Sequence, residues 1–402
     1  LNFDGNGYNT ALGSDAGRKV STGVQNTVLG ALAGDALTTG SDNVAIGYFS
    51  MSTDDAGGRS VAVGSHALTN QNGGSLHVYN VGIGYNAGAS MTNGTKNTII
   101  GGNAGDALTT GSENVAVGYA ALSAEDGHGG NVAVGNEALE NQNAGADAYN
   151  VAVGYRAGKQ VTTGTNNVIV GGLAGDALTT GFGNTALGHA ALGSEDAGDR
   201  SVAIGYFALN AQNVSGGGNA YNVAVGYGAG QSISTGVQNT ILGGLAGDAL
   251  TSGQFNVAMG YGALGSATDT DQSVAIGHGA FAALNYSGDS NNTAVGHNAG
   301  GSATTAIQST FIGAFAGDAV TTGLANTAMG YNALSGEDEH GYNTAVGHAA
   351  LKVQNAGANA YNVAVGASAG LSVTTGVRNV IVGGLAGDAL TTGNQNIAIG
   401  YN

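Results

Sequence analysis

The chain has 402 residues, of which 76 are glycine and none is proline, cysteine or tryptophan. The missing cysteine excludes a disulfide framework, a thiolate metal site and a cysteine nucleophile. The missing proline excludes collagen, and a hydrophobic content of 42% excludes a disordered polymer. Nine Lys and Arg against 26 Asp and Glu give a formal net charge of −17, so we expect no nucleic acid partner.

An internal repeat organises the whole chain. The pentapeptide [Asn/Ser]-[Val/Thr/Ile]-x-[Val/Ile/Leu/Met]-Gly occurs 23 times between Asn9 and Asn396, and 17 of the 22 spacings are 17 residues. We number each unit from position 1, its Asn or Ser, to position 17. The longer spacings, of 19 to 21 residues, fall after every fourth unit, so a superrepeat of about 70 residues lies over the short one.

The motif Ala-Gly-Asp-Ala marks the first coil type of each superrepeat. Its aspartates, at position 10, are Asp35, Asp106, Asp176, Asp248, Asp318 and Asp388. We interpret them as turn or capping residues. The array begins and ends inside the superrepeat, which predicts that the 402 residues are a segment of a longer protein.

A period of 17 residues predicts the fold. It is typical of one coil of a β-solenoid, with two short strands and two turns, whereas helical repeats need about 30 residues or more and few glycines. We therefore predict an all-β parallel β-solenoid or β-roll in which residues 1–402 form one continuous array of 23 coils. Consecutive coils would lie about 4.8 Å apart.

Three positions of the coil are nearly uniform among the repeats. Position 1 is Asn in 19 of 23 coils, which predicts a ladder of stacked side-chain amides with a structural role. Position 8 is Ala in 21 of 22 coils, which indicates a sterically tight place. Position 5 is always Gly, as expected where the backbone turns with positive φ. We single out as turn residues Gly30, Gly47, Gly64, Gly101 and Gly118.

The strand period of two assigns positions 2 and 4 to one face and position 3 to the other. Positions 2 and 4 are Val, Ile, Leu, Met or Thr, and we predict that they form the core. Position 3, mostly Ala, would then face outward with one bulky apolar residue in each superrepeat. These residues are Val28, Ile99, Ile169, Ile241, Phe311 and Ile381. We interpret them as a packing ridge covered by a partner chain; single exposed apolar residues that need no partner are the alternative.

Acidic residues recur in the second coil of each superrepeat. They include Asp54, Asp55, Glu125, Asp126, Glu195, Asp196, Asp269, Asp271, Glu337 and Asp338. Clustered carboxylates on loops are ligands for Ca²⁺. The interpretation we prefer is that these are solvated loops that keep the chain soluble, because neither the EF-hand spacing nor the nonapeptide Ca²⁺ repeat is present. We predict no other cofactor.

Position 6 carries Tyr or His in many of the coils. The histidines are His189, His278, His297 and His348, and tyrosines such as Tyr48, Tyr85 and Tyr261 occupy the same place in other coils. This interchange favours an aromatic surface ladder, with ligand contact as its candidate role, over a metal pair at His278 and His297. Longer inserts precede each fourth coil, at residues 70–79, 141–149, 212–221, 285–291 and 354–361, and are candidate recognition loops.

No motif of a catalytic site is present: the chain lacks G-x-S-x-G, HExxH and Walker sequences, so we do not expect an enzyme. No window approaches 18 uninterrupted apolar residues, and we expect no membrane insertion by this segment.

The runs Ser60–Gly64 (SVAVG), Ser201–Gly205 (SVAIG) and Ser273–Gly277 (SVAIG), each followed by two residues and an alanine, resemble a known repeat. It is the head repeat of YadA-like trimeric autotransporter adhesins. The resemblance implies a left-handed β-roll, a homotrimer, display at a bacterial cell surface, and attachment to host matrix or other cells. The N-T-x-x-G-x-x-A-G and T-T-G elements are also similar to repeats of bacteriophage tail-fibre proteins, which would place the chain on a virion.

We therefore expect a non-catalytic extracellular adhesin head or stalk that presents loops, aromatic rings and acidic side chains for attachment. A phage receptor-binding fibre and a self-assembling structural filament are the alternatives. The expected partners are further copies of the chain, as a homotrimer, and a host or cell-surface ligand.

Overall fold

The computed structural model describes residues 7–74, 77–214, 216 and 218–402 and confirms a parallel β-solenoid of about 23 turns. Every regular element among these residues is a short strand, and none is a helix. Accordingly, the described part of the chain contains no helix long and apolar enough to cross a membrane.

The chain falls into two compact units, Leu1–Arg200 with Gly216–Gly218, and Ser201–Ser215 with Asn219–Asn402. The strands of the first unit are β1 (Thr10–Leu12), β2 (Thr27–Leu29), β3 (Val44–Ile46), β4 (Val61–Val63), β5 (Val81–Ile83), β6 (Thr98–Ile100), β7 (Val115–Val117), β8 (Val132–Val134), β9 (Val151–Val153), β10 (Val168–Val170) and β11 (Thr185–Leu187). Those of the second are β12 (Val202–Ile204), β13 (Val223–Val225), β14 (Thr240–Leu242), β15 (Val257–Met259), β16 (Thr270–Asp271), β17 (Val274–Ile276), β18 (Gly288–Asp289), β19 (Thr293–Val295), β20 (Thr310–Ile312), β21 (Thr327–Met329), β22 (Thr344–Val346), β23 (Val363–Val365), β24 (Val380–Val382) and β25 (Ile397–Ile399).

Within each unit, successive coils pair in parallel and in register. Position 3 of β2, Val28, lies opposite position 3 of β3, Ala45, and the same correspondence holds for Ile99 of β6 and Ala116 of β7. Each position of a coil therefore stacks on the same position of the next coil. A residue type that suits one position in one coil suits the same position in the other coils of the unit.

The predicted second strand of each coil is wrong for nearly all coils: besides β16 and β18, the described residues form one three-residue strand per coil, at positions 2 to 4. The rest of the coil cannot be extended because φ is positive at several places, as at Leu32 (58°), Gly34 (49°) and Asp42 (64°). Backbone hydrogen bonds between coils continue there. The Leu32 N–H, for example, donates to the carbonyl of Ser14 at 2.9 Å.

The predicted assignment of the two strand faces is also wrong. Position 3 points into the solenoid, whereas positions 2 and 4 are half-buried or exposed, as in β10, where Ile169 is fully buried and Val168 is 43% exposed. All six residues of the predicted packing ridge are buried inside the coil: Val28, Ile99, Ile169, Ile241, Phe311 and Ile381. A period of two shows which residues share a face but not which face is inside, and the interior is too narrow for large side chains in every coil.

The bulky residue at position 3 fills interior space next to glycines that have no side chain to fill it. A Cβ atom built on Gly158 or Gly175 would lie 2.9 Å or 3.4 Å from Cδ1 of Ile169, so this side chain occupies the space above two residues that lack one. Gly175 is position 9 of the same coil as Ile169, and Gly158 is position 9 of the preceding coil, where position 3 is Ala152. The large side chain at position 3 of a coil with Ala-Gly-Asp-Ala therefore fills space left by glycine in two successive coils, as dense packing of the interior requires.

Positions 2 and 4 are covered mainly by their own neighbours along the stack. Ile397 and Ile399 of β25 are 76% and 74% exposed, whereas Val380 and Val382 of β24, on which β25 stacks, are 37% and 36% exposed. A neighbouring coil thus removes about half of the exposure of these side chains. Apolar β-branched residues suit such ladders of like side chains.

The Asn ladder at position 1 is present and buried. The backbone N–H of Asn43 donates to Oδ1 of Asn26 at 3.0 Å, and Nδ2 of Asn26 donates to the carbonyl of Gly40 at 2.9 Å. Each Asn therefore joins two coils and also closes its own coil 14 residues further on. This arrangement satisfies buried backbone groups that no strand pairing reaches.

The turn glycines at position 5 have the backbone geometry that the sequence predicts for them. Their φ values are 132° at Gly30, 128° at Gly47, 136° at Gly64, 138° at Gly101 and 141° at Gly118. A Cβ atom on Gly47 would also lie 2.5 Å from the carbonyl oxygen of Gly64 in the next coil. Side chains at position 5 are therefore excluded both by φ and by the close stacking of coils.

Replacing Ile169 with alanine is expected to destabilise the surrounding coils by about 2 to 5 kcal/mol, because it opens a cavity in the interior. Native-state hydrogen exchange of the flanking amides measures the local free energy of unfolding. The matched change Val168→Ala, on the outer face, should lower the same free energy of unfolding by less than about 1 kcal/mol. Equal losses for the two variants would contradict the inward orientation of position 3.

Candidate functional site

A run of exposed aromatic rings in the second unit is the candidate contact surface. Six rings from consecutive coils follow one another in the order Tyr261, His278, His297, Phe315, Tyr331 and His348, and we call this run the aromatic ladder. The distances between successive ring centroids are 5.0 to 6.1 Å. The ladder predicted at position 6 is thus present here, with Phe315 of position 7 bridging a coil whose position 6 is alanine.

The rings of His278 and His297 stack at 5.2 Å with an angle of 14° between their planes. Imidazole lone pairs lie in the plane of the ring, so in stacked rings they run side by side and do not converge on one point. This geometry favours the ladder over a metal pair, as the interchange with Tyr indicates.

A second stripe of tyrosines, not among the predicted contact residues, lies directly before position 1 of the next coil, beside the Asn ladder. Tyr79, Tyr342 and Tyr361 are exposed, and the rings of Tyr342 and Tyr361 stack at 4.8 Å. Arg59 donates from Nη1 to the hydroxyl of Tyr79 at 2.6 Å. The signal was available in the sequence, since tyrosine recurs immediately before position 1.

The inserts before each fourth coil are anchored by a buried glutamine at position 12. Asn80 donates from Nδ2 to Oε1 of Gln71 at 3.0 Å, and Asn150 makes the same bond to Gln142 at 2.6 Å. Beyond the anchor the chain is exposed, as at Asp147. The insert at 285–291 differs, because β18 pairs there with β16. Residues 75, 76, 215 and 217 of the inserts lie outside the described residues.

The acidic segments are only partly the solvated loops that we preferred. At position 12 the first carboxylate of four segments is fully buried: Asp54, Glu125, Glu195 and Glu337. The following residue is exposed at Asp55 and Asp126 and half-buried at Asp196 and Asp338. Position 12 faces the interior, where Leu37 and Leu108 lie in other coils. Spacing alone could not show this, because the carboxylates fall in a turn without strand or helix period.

The buried carboxylates fold back onto their own turn. Oδ1 of Asp54 accepts the N–H of Gly57 at 2.9 Å, and Oδ2 accepts from Nε2 of Gln71 at 2.7 Å. Burial raises the pKa of Asp54 despite these bonds, and burial likewise raises the pKa of Glu337. In the fourth superrepeat Ala267 takes the buried place.

Asp269 and Asp271, the remaining calcium candidates, serve as hydrogen-bond acceptors for the preceding coil. Asp269 accepts from the hydroxyls of Ser252 (2.6 Å) and Thr251 (2.9 Å), and these bonds lower its pKa. Asp271 accepts the N–H of Gln254 at 2.7 Å. Their carboxylates thus join coils together.

Two of the acidic turns also bring a histidine to the carboxylate. Oε1 of Glu125 accepts the N–H of His128 at 3.1 Å and lies 3.2 Å from its ring Nδ1. The turn at Glu337 repeats this arrangement with His340, at 3.2 Å and 3.4 Å. The carboxylates were predicted as candidate ligands and the histidines were not, although Glu-Asp-x-His occurs at the same place in both superrepeats.

Fold and surface together define a repetitive parallel β-solenoid with an exposed aromatic ladder. Comparison with known proteins finds no family model that matches the chain and no curated protein that matches it.

Acidification is expected to stabilise the folded chain. Burial raises the pKa of Asp54 and of four position 10 aspartates, Asp106, Asp176, Asp248 and Asp318. Since the folded chain binds these protons more tightly than the unfolded chain, the free energy of unfolding should rise as the pH falls from 7 toward the ordinary carboxyl value near 3.8.

Thermal unfolding between pH 7 and pH 4.5 measures this dependence. The variant Asp54→Asn should show a shallower rise, because one of the proton-binding groups is gone. A melting temperature that falls steadily over this range, as in ordinary acid denaturation, would contradict the prediction.

Proposed function

We propose that the chain acts in an extracellular surface adhesin, as a non-catalytic head or stalk that attaches to a host or cell-surface ligand. The observation that carries this proposal is the aromatic ladder. Six rings in consecutive coils present flat, amphipathic contact area whose position is set by the stacked backbone beneath. Ordering such rings on binding costs little conformational entropy, and aromatic residues are enriched at recognition surfaces.

The inserts add to the same surface function. Four of the five are fixed at the base by a buried glutamine, and the chain beyond it is exposed at residues such as Asp147. Loops carried on a rigid scaffold commonly bear recognition. Their recurrence in successive superrepeats offers a repetitive ligand several equivalent contacts, and this raises the strength of attachment by avidity.

Self-association as a homotrimer is part of this proposal, but the residues proposed to contact the other copies are those at positions 2 and 4 and not those at position 3. The ridge at position 3 is buried and cannot contact a partner. Positions 2 and 4 instead present stripes of half-exposed aliphatic side chains, among them Leu29, Ile83 and Val168. Burying such stripes between copies would stabilise an oligomer.

Adhesion of coated beads tests the function. Beads carrying the chain should bind collagen-coated, fibronectin-coated or epithelial-cell surfaces more strongly than beads carrying albumin. The double variant Tyr261→Ser, Tyr331→Ser should lower binding several-fold, because it removes two rings of the ladder. The matched variant Tyr342→Ser, Tyr361→Ser removes two exposed tyrosines from the other stripe and should leave binding unchanged.

Binding no stronger than that of albumin beads would overturn the adhesin proposal, and equal loss in both variants would overturn the role of the ladder. Light scattering at micromolar concentration tests the trimer separately, with a mass three times that of one chain as the expected result. A stable monomer would contradict the trimer, and assemblies that grow with concentration would favour the structural filament instead.

A further inference from the structure

The two Glu-Asp-x-His turns carry donor groups of a kind that binds metal. We propose that each holds a divalent first-row transition ion such as Zn²⁺. The ligands are Glu125, Asp126 and His128 in one turn and Glu337, Asp338 and His340 in the other. In each turn one carboxylate oxygen from Glu, one from Asp and one ring nitrogen from His all lie within 4.8 Å of one another.

A buried carboxylate oxygen without a partner supports the site independently of this clustering. The side chains of Glu125 and Glu337 are fully buried, and Oε2 of each has no hydrogen-bond partner. Nε2 of Gln142 and Nε2 of Gln354, at position 12 of the next coil, are also buried without a partner, whereas Nε2 of Gln71 at the same place donates to Asp54. Leaving a charged group unsatisfied in the interior is unfavourable. A metal ion bound to this carboxylate removes that cost.

Charge balance points the same way. The first turn holds two adjacent carboxylates, Glu125 and Asp126, and the second holds three, Glu337, Asp338 and Glu339. Within the described ranges, the one group with a possible positive charge that is paired with Glu125 or Glu337 is the histidine of its own turn, which is itself a metal ligand when neutral. A dication would balance the two carboxylates that are its ligands without requiring a protonated imidazole.

The turn backbone is held in place by the preceding coil. The carbonyl of Asp126 accepts from the N–H of Thr109 at 2.5 Å and from its hydroxyl at 2.6 Å. Thr321 holds the carbonyl of Asp338 in the same way, at 2.5 Å and 2.7 Å. The backbone that carries the three ligands is thus fixed to the preceding coil in both turns.

The donor set selects the kind of ion. Ca²⁺ and Mg²⁺ take oxygen ligands, whereas Zn²⁺ and its neighbours bind imidazole nitrogen together with carboxylate oxygen. The calcium interpretation of these segments therefore does not apply to the two turns with histidine.

The chain supplies its own comparison turns without histidine. Gly57 and Gly198 stand where His128 and His340 stand, and their N–H groups donate to Asp54 and Glu195 at 2.9 Å and 2.6 Å. The carboxylate is thus held by the same backbone bond in turns with glycine. Replacing the histidine with glycine should remove a ligand and keep the turn.

Calorimetric titration of the full chain with ZnCl₂ tests the proposal. We expect two ions bound per chain at micromolar concentration, one in the variant His128→Gly, and none in the double variant His128→Gly, His340→Gly. Titration with Co²⁺ should give d–d absorption bands with the same stoichiometry. Far-ultraviolet circular dichroism checks that each variant is folded.

The control variant His278→Gly, His297→Gly removes the stacked pair of the aromatic ladder and should still bind two ions. Loss of binding in this control, or binding by the double variant equal to that of the original chain, would overturn the proposal. So would the absence of Zn²⁺ binding at micromolar concentration in the unaltered chain. None of these outcomes depends on adhesion, so the metal sites and the proposed function stand or fall separately.

Discussion

Replacing Gly47 with alanine is expected to destabilise the surrounding coils by about 3 to 5 kcal/mol. Two costs add. The φ of 128° at Gly47 is unfavourable for any residue with a Cβ, and that Cβ would lie 2.5 Å from the carbonyl oxygen of Gly64 and 2.6 Å from its carbon. The clash is with backbone of the next coil, so relief requires the stack to open. Native-state hydrogen exchange around β3 and β4 would measure the loss.

Gly145→Ala is the matched control for this clash. Gly145 also has positive φ, 71°, but a Cβ there would meet nothing within 4 Å. It should therefore cost only about 1 kcal/mol, from the backbone conformation alone. A loss at Gly47 no larger than the loss at Gly145 would contradict the close approach of coils at position 5.

Replacing Asn97 with alanine is expected to cost about 4 kcal/mol, because one side chain satisfies buried groups in two directions. Its Oδ1 accepts the N–H of Asn114 at 2.9 Å, and its Nδ2 donates to the carbonyl of Gly111 at 2.9 Å. Alanine leaves both groups buried without a partner, at about 1 to 3 kcal/mol each. Urea unfolding followed by hydrogen exchange in the coils of β6 and β7 would measure the loss.

Serine at the same place should cost about half as much. Ser309 stands at position 1 in its own coil, and its Oγ accepts the N–H of Asn326 at 3.3 Å. The variant Asn97→Ser thus keeps an acceptor for Asn114 and loses only the bond to Gly111. If Asn97→Ala and Asn97→Ser lowered the free energy of unfolding by equally small amounts, the amide ladder would contribute little to stability.

Much of the fold follows from the sequence because coils stack in register. The 17-residue period predicts parallel coils, uniform Gly predicts a turn with positive φ at Gly47, and uniform Asn predicts the ladder at Asn43. In each case one residue type is repeated because every coil meets the same steric or hydrogen-bonding demand. Such demands can be recognised without knowing the shape of the coil.

The orientation of the strands does not follow from the sequence in the same way. Val168, Ile169 and Val170 are all apolar, so hydrophobicity does not distinguish the inner from the outer face. The narrow interior accepts mostly alanine at position 3, whereas larger aliphatic residues at positions 2 and 4 stack on one another outside. The usual rule that larger apolar residues lie inside therefore leads to the wrong face.

The candidate sites were only partly predictable for a related reason. The aromatic ladder follows from interchange of Tyr and His at position 6. The burial of Glu125 does not follow from the sequence. Position 12 is identified as an interior position only by the structure, in which Leu37 and Leu108 are buried at position 12 of other coils. His128 joins the carboxylate through a turn whose φ and hydrogen bonds have no sequence period.

The central structural claim is that position 3 of each coil faces the interior. Labelling the single-cysteine variants Val168→Cys, Ile169→Cys and Val170→Cys with a thiol reagent tests it most directly, since the chain has no cysteine of its own. Cysteine is a small, readily buried residue, so each variant should fold. With position 3 inside, Ile169→Cys should react with a thiol reagent only after unfolding in urea, whereas Val168→Cys should react quickly in the native state. Rapid native labelling at 169 together with protection at 168 would contradict the account.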